Sequence, residues 1–198
     1  MPNRIIDISV EKKLLRKKYI QQRLSISPHQ WRSNSDKICD NILNSEIFRQ
    51  AKVVLSYFSF KQEPDLSLLH QHSKVIWGFP RCEGNNLVWH QWQWGDKLQT
   101  GNYGILEPLA DSPLIDTTLV DLILVPSVLL DRTGYRLGYG GGYYDRMLAS
   151  SSWYNVPTMG IVFDFAYIPH LPRESWDKPL KYIYTEHRLE KISPIPNS

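Results

Sequence analysis

The sequence predicts an α/β fold of three layers: a mostly parallel sheet with flanking helices. Short β-rich apolar runs recur along the chain, and helix-forming stretches fall between several of them. Composition is that of a globular domain, 42% apolar, 12% aromatic and 22% charged, which excludes a disordered chain, a collagen and a coiled coil. At 198 residues the chain is one domain's length, so a single domain over 1–198 is expected, able to bury about 70% of its unfolded surface.

Residues 9–24 read as a helix, rich in helix formers and free of Pro and Gly. Val10, Leu14, Ile20 and Leu24 make a poor apolar stripe that leaves out Leu15 and Tyr19. The cations are better ordered: Lys12, Arg16 and Arg23 fall within about 40° of one another on a helical wheel. Such a stripe is either a solvated face or an anion-facing one. A second helix starts at Ser27-Pro28, with Ser27 as cap, Pro28 in the first helical position and Gln30 completing a capping box. Its Trp31, Ile38, Cys39 and Ile42 read as core, and it should fade near Asn44-Ser45.

Val53–Phe58 reads as a buried strand running into the turn that holds Glu63, followed by a short helix over Asp65–His70. Lys74–Phe79 reads as a strand stopped by Pro80, Gly84-Asn85-Asn86 as a turn, and Leu87–Trp94 as a two-faced strand. Gly101–Pro108 reads as a Gly-punctuated strand and 108–118 as a loop. Asp121–Val125 is the clearest buried strand, ended by Pro126, with a turn at Asp131–Gly134. Thr158–Phe163 reads as the last core strand, and residues 189–198 as a flexible tail.

Net charge is +3, but residues 1–32 hold eight Lys and Arg against two acids, so the basic character is local. A local basic element suits an anionic ligand better than nucleic acid. No apolar run approaches about 18 residues, so no membrane span is expected. The N-terminus lacks an apolar signal region, and Cys39 and Cys82 lie far apart outside any CxxC. Cytoplasmic placement is therefore expected, without a disulfide framework or zinc site.

The chemical signal is Arg136-Leu137-Gly138-Tyr139-Gly140-Gly141-Gly142-Tyr143-Tyr144-Asp145-Arg146. Glycines between a strand and a helix let the backbone approach an anion closely, and unpaired N–H groups then cradle phosphate. Arg136 and Arg146 flank the run. Asp145 follows it, where a carboxylate tolerates phosphate if Mg²⁺ lies between them; it also suits a first-turn helix acid. The run is neither GxxxxGK[ST] nor GxGxxG, and the chain has no HExxH or GxSxG. Glu63, after an apolar strand and beside Phe58 and Phe60, can grip the N–H groups of a heterocycle or simply charge a helix start.

The run LGYGGGYYDR resembles the signature of the 5-formyltetrahydrofolate cyclo-ligase family, the 5,10-methenyltetrahydrofolate synthetases. Further blocks agree in order: KKLLR at Lys12–Arg16, Phe58 before Glu63-Pro64-Asp65-Leu66, GNYGILEP at Gly101–Pro108, Asp121–Pro126, and Asp177 to Glu186. The resemblance implies a Rossmann-like, NagB/RpiA/CoA-transferase-like fold and an ATP- and Mg²⁺-dependent ligase acting on 5-formyltetrahydrofolate, possibly polyglutamylated. Phosphorylation of the formyl oxygen would give an N5-imino-phosphate, attacked by N10, with release of ADP and phosphate.

By motif position, the resemblance places Lys12, Lys13, Leu14, Leu15 and Arg16 on ATP, with Arg136, Leu137, Gly138, Tyr139, Gly140, Gly141, Gly142, Tyr143 and Tyr144. Phe58 and Glu63 would meet folate, with Tyr139–Tyr143 beside both ligands. Arg136, Tyr144 and Asp145 would act in catalysis, and Asp145 would ligate Mg²⁺. A monomer is expected, without nucleic-acid or membrane partners.

Some positions depart from the family pattern. Tyr139 and Gly141 stand where some members carry Arg or Lys, so phosphate charge falls to Arg16, Arg136 or Arg146. Lys181 stands where many carry an acid, so that acidic contact is either lost or supplied by Asp177. Ser127–Asp131 differs from the usual G-x-A-[FW]-D, so that wall of the site is expected to differ. Two other readings are a non-catalytic nucleotide or phosphosugar binder of the same fold, and an RNA binder that stacks bases on its seven tryptophans.

Overall fold

The computed structural model describes residues 7–192. Helix α1 (Ile8–Leu24) is capped by Asp7, and α2 (Pro28–Leu43) by Ser27, which accepts from the Gln30 amide at 3.2 Å. Only half of the expected capping box forms, because the Gln30 side chain bonds Asn34 instead. Helix α3 (Glu46–Gln50) leads into β1 (Val53–Leu55). Next come α4 (Ser67–His70), β2 (Ile76–Glu83) and β3 (Asn86–Gln91). Strands β4 (Leu98–Thr100) and β5 (Leu106–Pro108) form a separate ribbon. The chain continues through β6 (Leu122–Pro126), β7 (Leu129–Asp131), β8 (Arg136–Leu137) and α5 (Tyr143–Ala149). It ends with β9 (Thr158–Ile161), β10 (Tyr167–Ile168), β11 (Tyr182–Tyr184) and β12 (Leu189–Lys191).

The main sheet has seven strands in the order β12-β11-β9-β6-β1-β2-β3. The five inner strands are mutually parallel and the two edges antiparallel. Alternate residues serve opposite cores, as period-two geometry requires. Val54, Leu122 and Leu124 join Ile38, Ile42 and Phe48 on one face; Val53, Leu55, Ile123 and Val125 join Leu130, Leu137 and Met147 on the other. The first face is covered by α2, α3 and α4. The second is covered by α5, α1 and the small sheet β10-β7-β8.

Several expected boundaries move. Pro80 lies inside β2. Gly78 faces β1, its carbonyl accepting from Ser56, and Pro80, two residues on, faces the same way after β1 has ended. Its missing N–H therefore costs no ladder bond. Gly101–Pro108 is broken by a 3₁₀ turn at Asn102–Gly104, with Tyr103 at φ 66°, and only Leu106–Pro108 is strand. Thr158–Phe163 is not the last core strand, since β11 pairs beside it. Leu189–Lys191 of the expected tail is an edge strand on β11. The rest of the expected tail, 193–198, lies outside the described residues, as does Arg4, one of the eight N-terminal cations.

Helix α1 keeps only Ile20 of its expected apolar stripe on the core. Val10, Leu14 and Leu24 are exposed, whereas Leu15, Tyr19 and Ile20 pack on the core. Lys12 and Arg23 on that packed side are buried, so the stripe is not a solvated face. No helix among the described residues is long and apolar enough to cross a membrane.

Gly160 packs under the small sheet: a Cβ there would lie 2.7 Å from both Leu130 Cδ1 and Leu180 Cδ1. Gly160→Ala should therefore destabilise by about 1–3 kcal/mol, the usual cost of overpacking a core. An unchanged melting temperature would contradict that packing.

Candidate active site

Chain order reverses at the centre of the sheet. From β1 the chain builds β2 and β3 outward on one side, then returns to lay β6, β9, β11 and β12 on the other. Open α/β sheets bind ligands beyond the strand C-termini at such a switch point. A cavity of about 680 Å³ lies there, lined by Tyr57 and Phe58 after β1 and by Pro126 at the end of β6. Volumes of this order suit a small-molecule ligand.

One wall is aromatic. Phe58 stacks on Phe79 with centroids 4.1 Å apart and planes 11° from parallel, and meets Trp92 edge-on. Phe60 meets Tyr139 edge-on across the cavity rim. Beneath Phe58, the His70 ring is buried and bonds Ser56 Oγ at 2.9 Å. Burial lowers its pKa to about 4, so this histidine is a neutral part of the core.

Glu63 closes that wall and is 2% exposed. Its turn carries Lys61 and Gln62 at φ 48° and 56°, left-handed conformations that side chains resist. Three side chains hold the turn: Trp31 Nε1 and Ser59 Oγ donate to the Glu63 carbonyl, and Arg23 Nε donates to that of Lys61. Glu63 Oε2 accepts from the Phe60 amide at 3.1 Å. Oε1 is buried, has no hydrogen-bond partner and lies 4.0 Å from Arg23 Nη1. Burial raises the Glu63 pKa to about 7 despite the opposing pull of Arg23 and the Phe60 amide. The site thus holds an acceptor carboxyl with an unmet hydrogen-bonding need.

The opposite wall is the glycine loop. It connects β8, a strand of the small sheet, to α5. Gly140 and Gly142 have φ of 101° and 70°. Arg16 Nε donates to the Gly138 carbonyl at 2.8 Å, which pins the loop to α1. Arg136 is buried, and its Nη2 pairs with Asp145 Oδ1 at 2.6 Å under the Tyr144 ring. The Tyr144 hydroxyl is buried and unpartnered. Burial raises its pKa, so it stays a neutral phenol. Tyr143 lines the cavity, with its hydroxyl donating to Gly84.

Not every expected contact residue reaches the cavity. Of Lys12–Arg16, only Lys12 and Arg16 line it; Lys13 and Leu14 are exposed, and Leu15 packs inward. Lys12 is held by Asp177 at 2.5 Å. Arg146 bonds the carbonyls of Asn85 and Gly141 outside the cavity lining. Lys181 lies away from it, donating to Tyr154, so its departure does not touch the site. Ser127–Asp131 forms core and β7, and none of it lines the cavity, so the expected altered wall is not there. The sequence reading gave no role to Asn102, Tyr103, Glu107 or Trp176, which line the cavity, although the GNYGILEP block marks three of these positions.

Charge pairing decides where an anion can sit. Lys12 pairs with Asp177, Arg136 with Asp145, and Arg23 lies beside Glu63. Among the cavity-lining cations of the described residues, Arg16 and Lys61 have no carboxylate partner, and the Lys61 ammonium sits over the Phe60 ring. Burial lowers the Arg16 pKa, opposed by Asp145 and Asp177. No group of three His, Cys, Asp or Glu among the described residues can enclose a metal. Asp145 lines the cavity with one carboxylate oxygen on Arg136, so a Mg²⁺ ion there would take a single protein carboxylate, with phosphate oxygens and water as its other ligands.

The fold and cavity define an α/β protein whose switch-point cavity sets a glycine loop against an aromatic wall. A family model for the 5-formyltetrahydrofolate cyclo-ligase family matches residues 8–186, and the chain belongs to that family. A relative from Haemophilus influenzae, named 5-formyltetrahydrofolate cyclo-ligase, is 28% identical over 171 residues, covering 80% of this chain and 88% of its own. An Escherichia coli K12 protein of the same name is 26% identical over 179 residues, 85% and 97% of the two chains. The NMR structure of Aquifex aeolicus 5,10-methenyltetrahydrofolate synthetase superposes with a TM-score of 0.83 at 31% identity, covering 94% and 95% of the two chains. A Mycoplasma pneumoniae 5,10-methenyltetrahydrofolate synthetase, at 20% identity and TM-score 0.71 over 89% and 99%, shares the fold.

Because the folded Glu63 pKa lies above its ordinary value near 4.5, the folded state holds a proton that the unfolded state releases between those two values. The resulting stabilisation is complete below the lower value and is lost as pH rises through about 7. Glu63→Gln should remove this loss and raise stability relative to wild type at pH 8 more than at pH 5, by roughly 1–3 kcal/mol. Melting curves at the two pH values that differed equally would contradict a buried, proton-linked Glu63.

Proposed function

We propose that the protein closes 5-formyltetrahydrofolate to 5,10-methenyltetrahydrofolate, using ATP with Mg²⁺ and releasing ADP and phosphate. The observation that carries this reading is Glu63, which lines a cavity shared with Phe58 and the glycine loop and whose Oε1 is buried and unpartnered. A pterin is flat and carries adjacent N–H donors. Phe58 offers it a ring already fixed by Phe79, and the ionised Glu63 carboxylate accepts its donors.

ATP, when bound, supplies the phosphoryl group that turns the formyl oxygen into a leaving group. The chain's own work is positional. Arg16 and the amides of Gly138–Gly142 hold phosphate oxygens. Asp145 carries one carboxylate ligand for Mg²⁺ and, through its other oxygen, fixes Arg136. A triphosphate exceeds the unpaired cationic charge of the cavity, so a divalent cation has charge left to neutralise. Folate N10, held in the same molecule as the formyl group, would be the nucleophile at hand. No protein nucleophile is needed: Cys82 lines the cavity, but burial raises its pKa and keeps it a thiol. An unpaired buried acceptor favours this enzyme over a phosphate binder of the same fold, which has no use for Glu63.

The test is absorbance of 5,10-methenyltetrahydrofolate after mixing protein, 5-formyltetrahydrofolate and Mg-ATP. Product should form only when ATP and Mg²⁺ are both present; none in the complete mixture would overturn the reading. Arg16→Ala should raise the KM for ATP about tenfold or more, as loss of a charge-assisted contact predicts. Because binding uses ionised Glu63, the KM for 5-formyltetrahydrofolate should rise as pH falls below about 7, and a flat profile from pH 6 to 8 would remove Glu63 from substrate binding.

A further inference from the structure

One guanidinium joins the two walls of the site. Arg23 is 3% exposed and donates from Nε to the Lys61 carbonyl at 2.9 Å, in the Glu63 turn. Nη1 donates to the Ser127 carbonyl at 3.3 Å, just past β6. Nη2 donates to the hydroxyl of Tyr139, in the middle of the glycine loop, and that hydroxyl in turn donates to the Phe60 carbonyl at 3.3 Å. The Tyr139 ring packs edge-on against Phe60 with centroids 5.6 Å apart. The loop carrying Gly140 and Gly142 and the turn carrying Glu63 are thus tied through one buried cation and one phenol.

We propose that Arg23 and Tyr139 are positioning residues that latch the glycine loop to the Glu63 turn, so that the phosphate side and the heterocycle side of the site are ordered together. The inference rests on the proposed ligase reading for its ligands, but the latch is a property of the free protein. Its physical basis is the geometry of the guanidinium. A planar fork with fixed donor directions satisfies three acceptors only when all three elements are in place. Binding at one wall then lowers the ordering cost at the other. The groups facing Glu63 are Arg23 from α1, Tyr57 after β1, Tyr139 from the loop and Tyr144 from α5, with Lys61 beside it in its own turn. Arg23 is the buried cation among them, so releasing it from Tyr139 also weakens the hold on the Glu63 carboxylate.

Two measurements on the full chain test the latch. In the first, hydrogen exchange is followed without ligands in wild type and Tyr139→Phe, a change that keeps the ring and removes the hydroxyl. The Phe60 and Glu63 amides, hydrogen-bonded within their turn, and the Arg146 amide, which donates to the Gly142 carbonyl at the end of the glycine loop, should all exchange faster, by roughly three- to tenfold, the equilibrium worth of one hydrogen bond. Faster exchange confined to the glycine loop, or none, overturns the latch whether or not the protein is a ligase.

In the second, the KM for 5-formyltetrahydrofolate is followed against pH. In Tyr139→Phe its rise on acidification should begin at higher pH than in wild type, and the KM for Mg-ATP should increase as well. A KM change for one substrate only, with an unmoved pH profile, also overturns the latch. Failure of the wild type to form product counts against the ligase reading alone and leaves the exchange result to decide the latch.

Discussion

Burying the cationic face of α1 is the constraint on which the rest of the site depends. A guanidinium or ammonium taken out of water without partners is strongly unfavourable, so each must find acceptors on whatever packs against it. Lys12 finds Asp177, Arg16 the Gly138 carbonyl, and Arg23 the Lys61 and Ser127 carbonyls and the Tyr139 hydroxyl. These acceptors come from the C-terminal segment, the glycine loop, the Glu63 turn and the end of β6. One helix thereby fixes the relative positions of four chain segments distant in sequence, and the cavity is the space they enclose. Leu15, Tyr19 and Ile20 supply the apolar anchoring that lets those polar contacts form in one register.

The Glu63 turn shows how such a framework sustains local strain. Two successive non-glycine residues in left-handed conformation cost on the order of 1 kcal/mol or more each. They persist because Trp31, Ser59 and Arg23 hold the carbonyls of the turn from three directions. The result is a carboxyl lining an aromatic pocket with one oxygen unpaired. The second helix, read from sequence as core only, is therefore part of the site's support through the indole N–H of Trp31.

Much of this was legible in the sequence. The central strands were plain because buried parallel strands are apolar on both faces, as in Leu122–Val125. The glycine run, Phe58 and Glu63 were legible because their chemistry is unusual for its local context. The role of α1 was only half legible. Its packed face is Lys12, Leu15, Arg16, Tyr19, Ile20 and Arg23, at helical spacing, but a hydrophobicity pattern assigns the cations to solvent. Only the acceptors that meet them reverse that assignment, and these lie 38 to 165 residues away. Strand β11 and the edge strand β12 were missed for a similar reason. Three-residue strands carry little periodicity, and their pairing is set by the sheet beside them.

On the proposed folate reading, the same electrostatics explain why a carboxyl suits the base of this pocket better than an amide would. An amide presents one acceptor and two donors, and could pair in the wrong orientation with a heterocycle bearing adjacent N–H groups. A carboxylate presents acceptors only, so it selects donors and rejects the flipped ligand. Its disadvantage is the cost of ionising in a buried site, and the neighbouring Arg23 reduces that cost without cancelling it. With burial raising its pKa to about 7, the carboxyl ionises closer to neutral pH than an exposed one does. Ligand N–H donors then need to draw out little further ionisation. Selectivity and accessible ionisation are thus obtained together, by placing the acid deep enough to discriminate and near enough to one cation to titrate near neutrality.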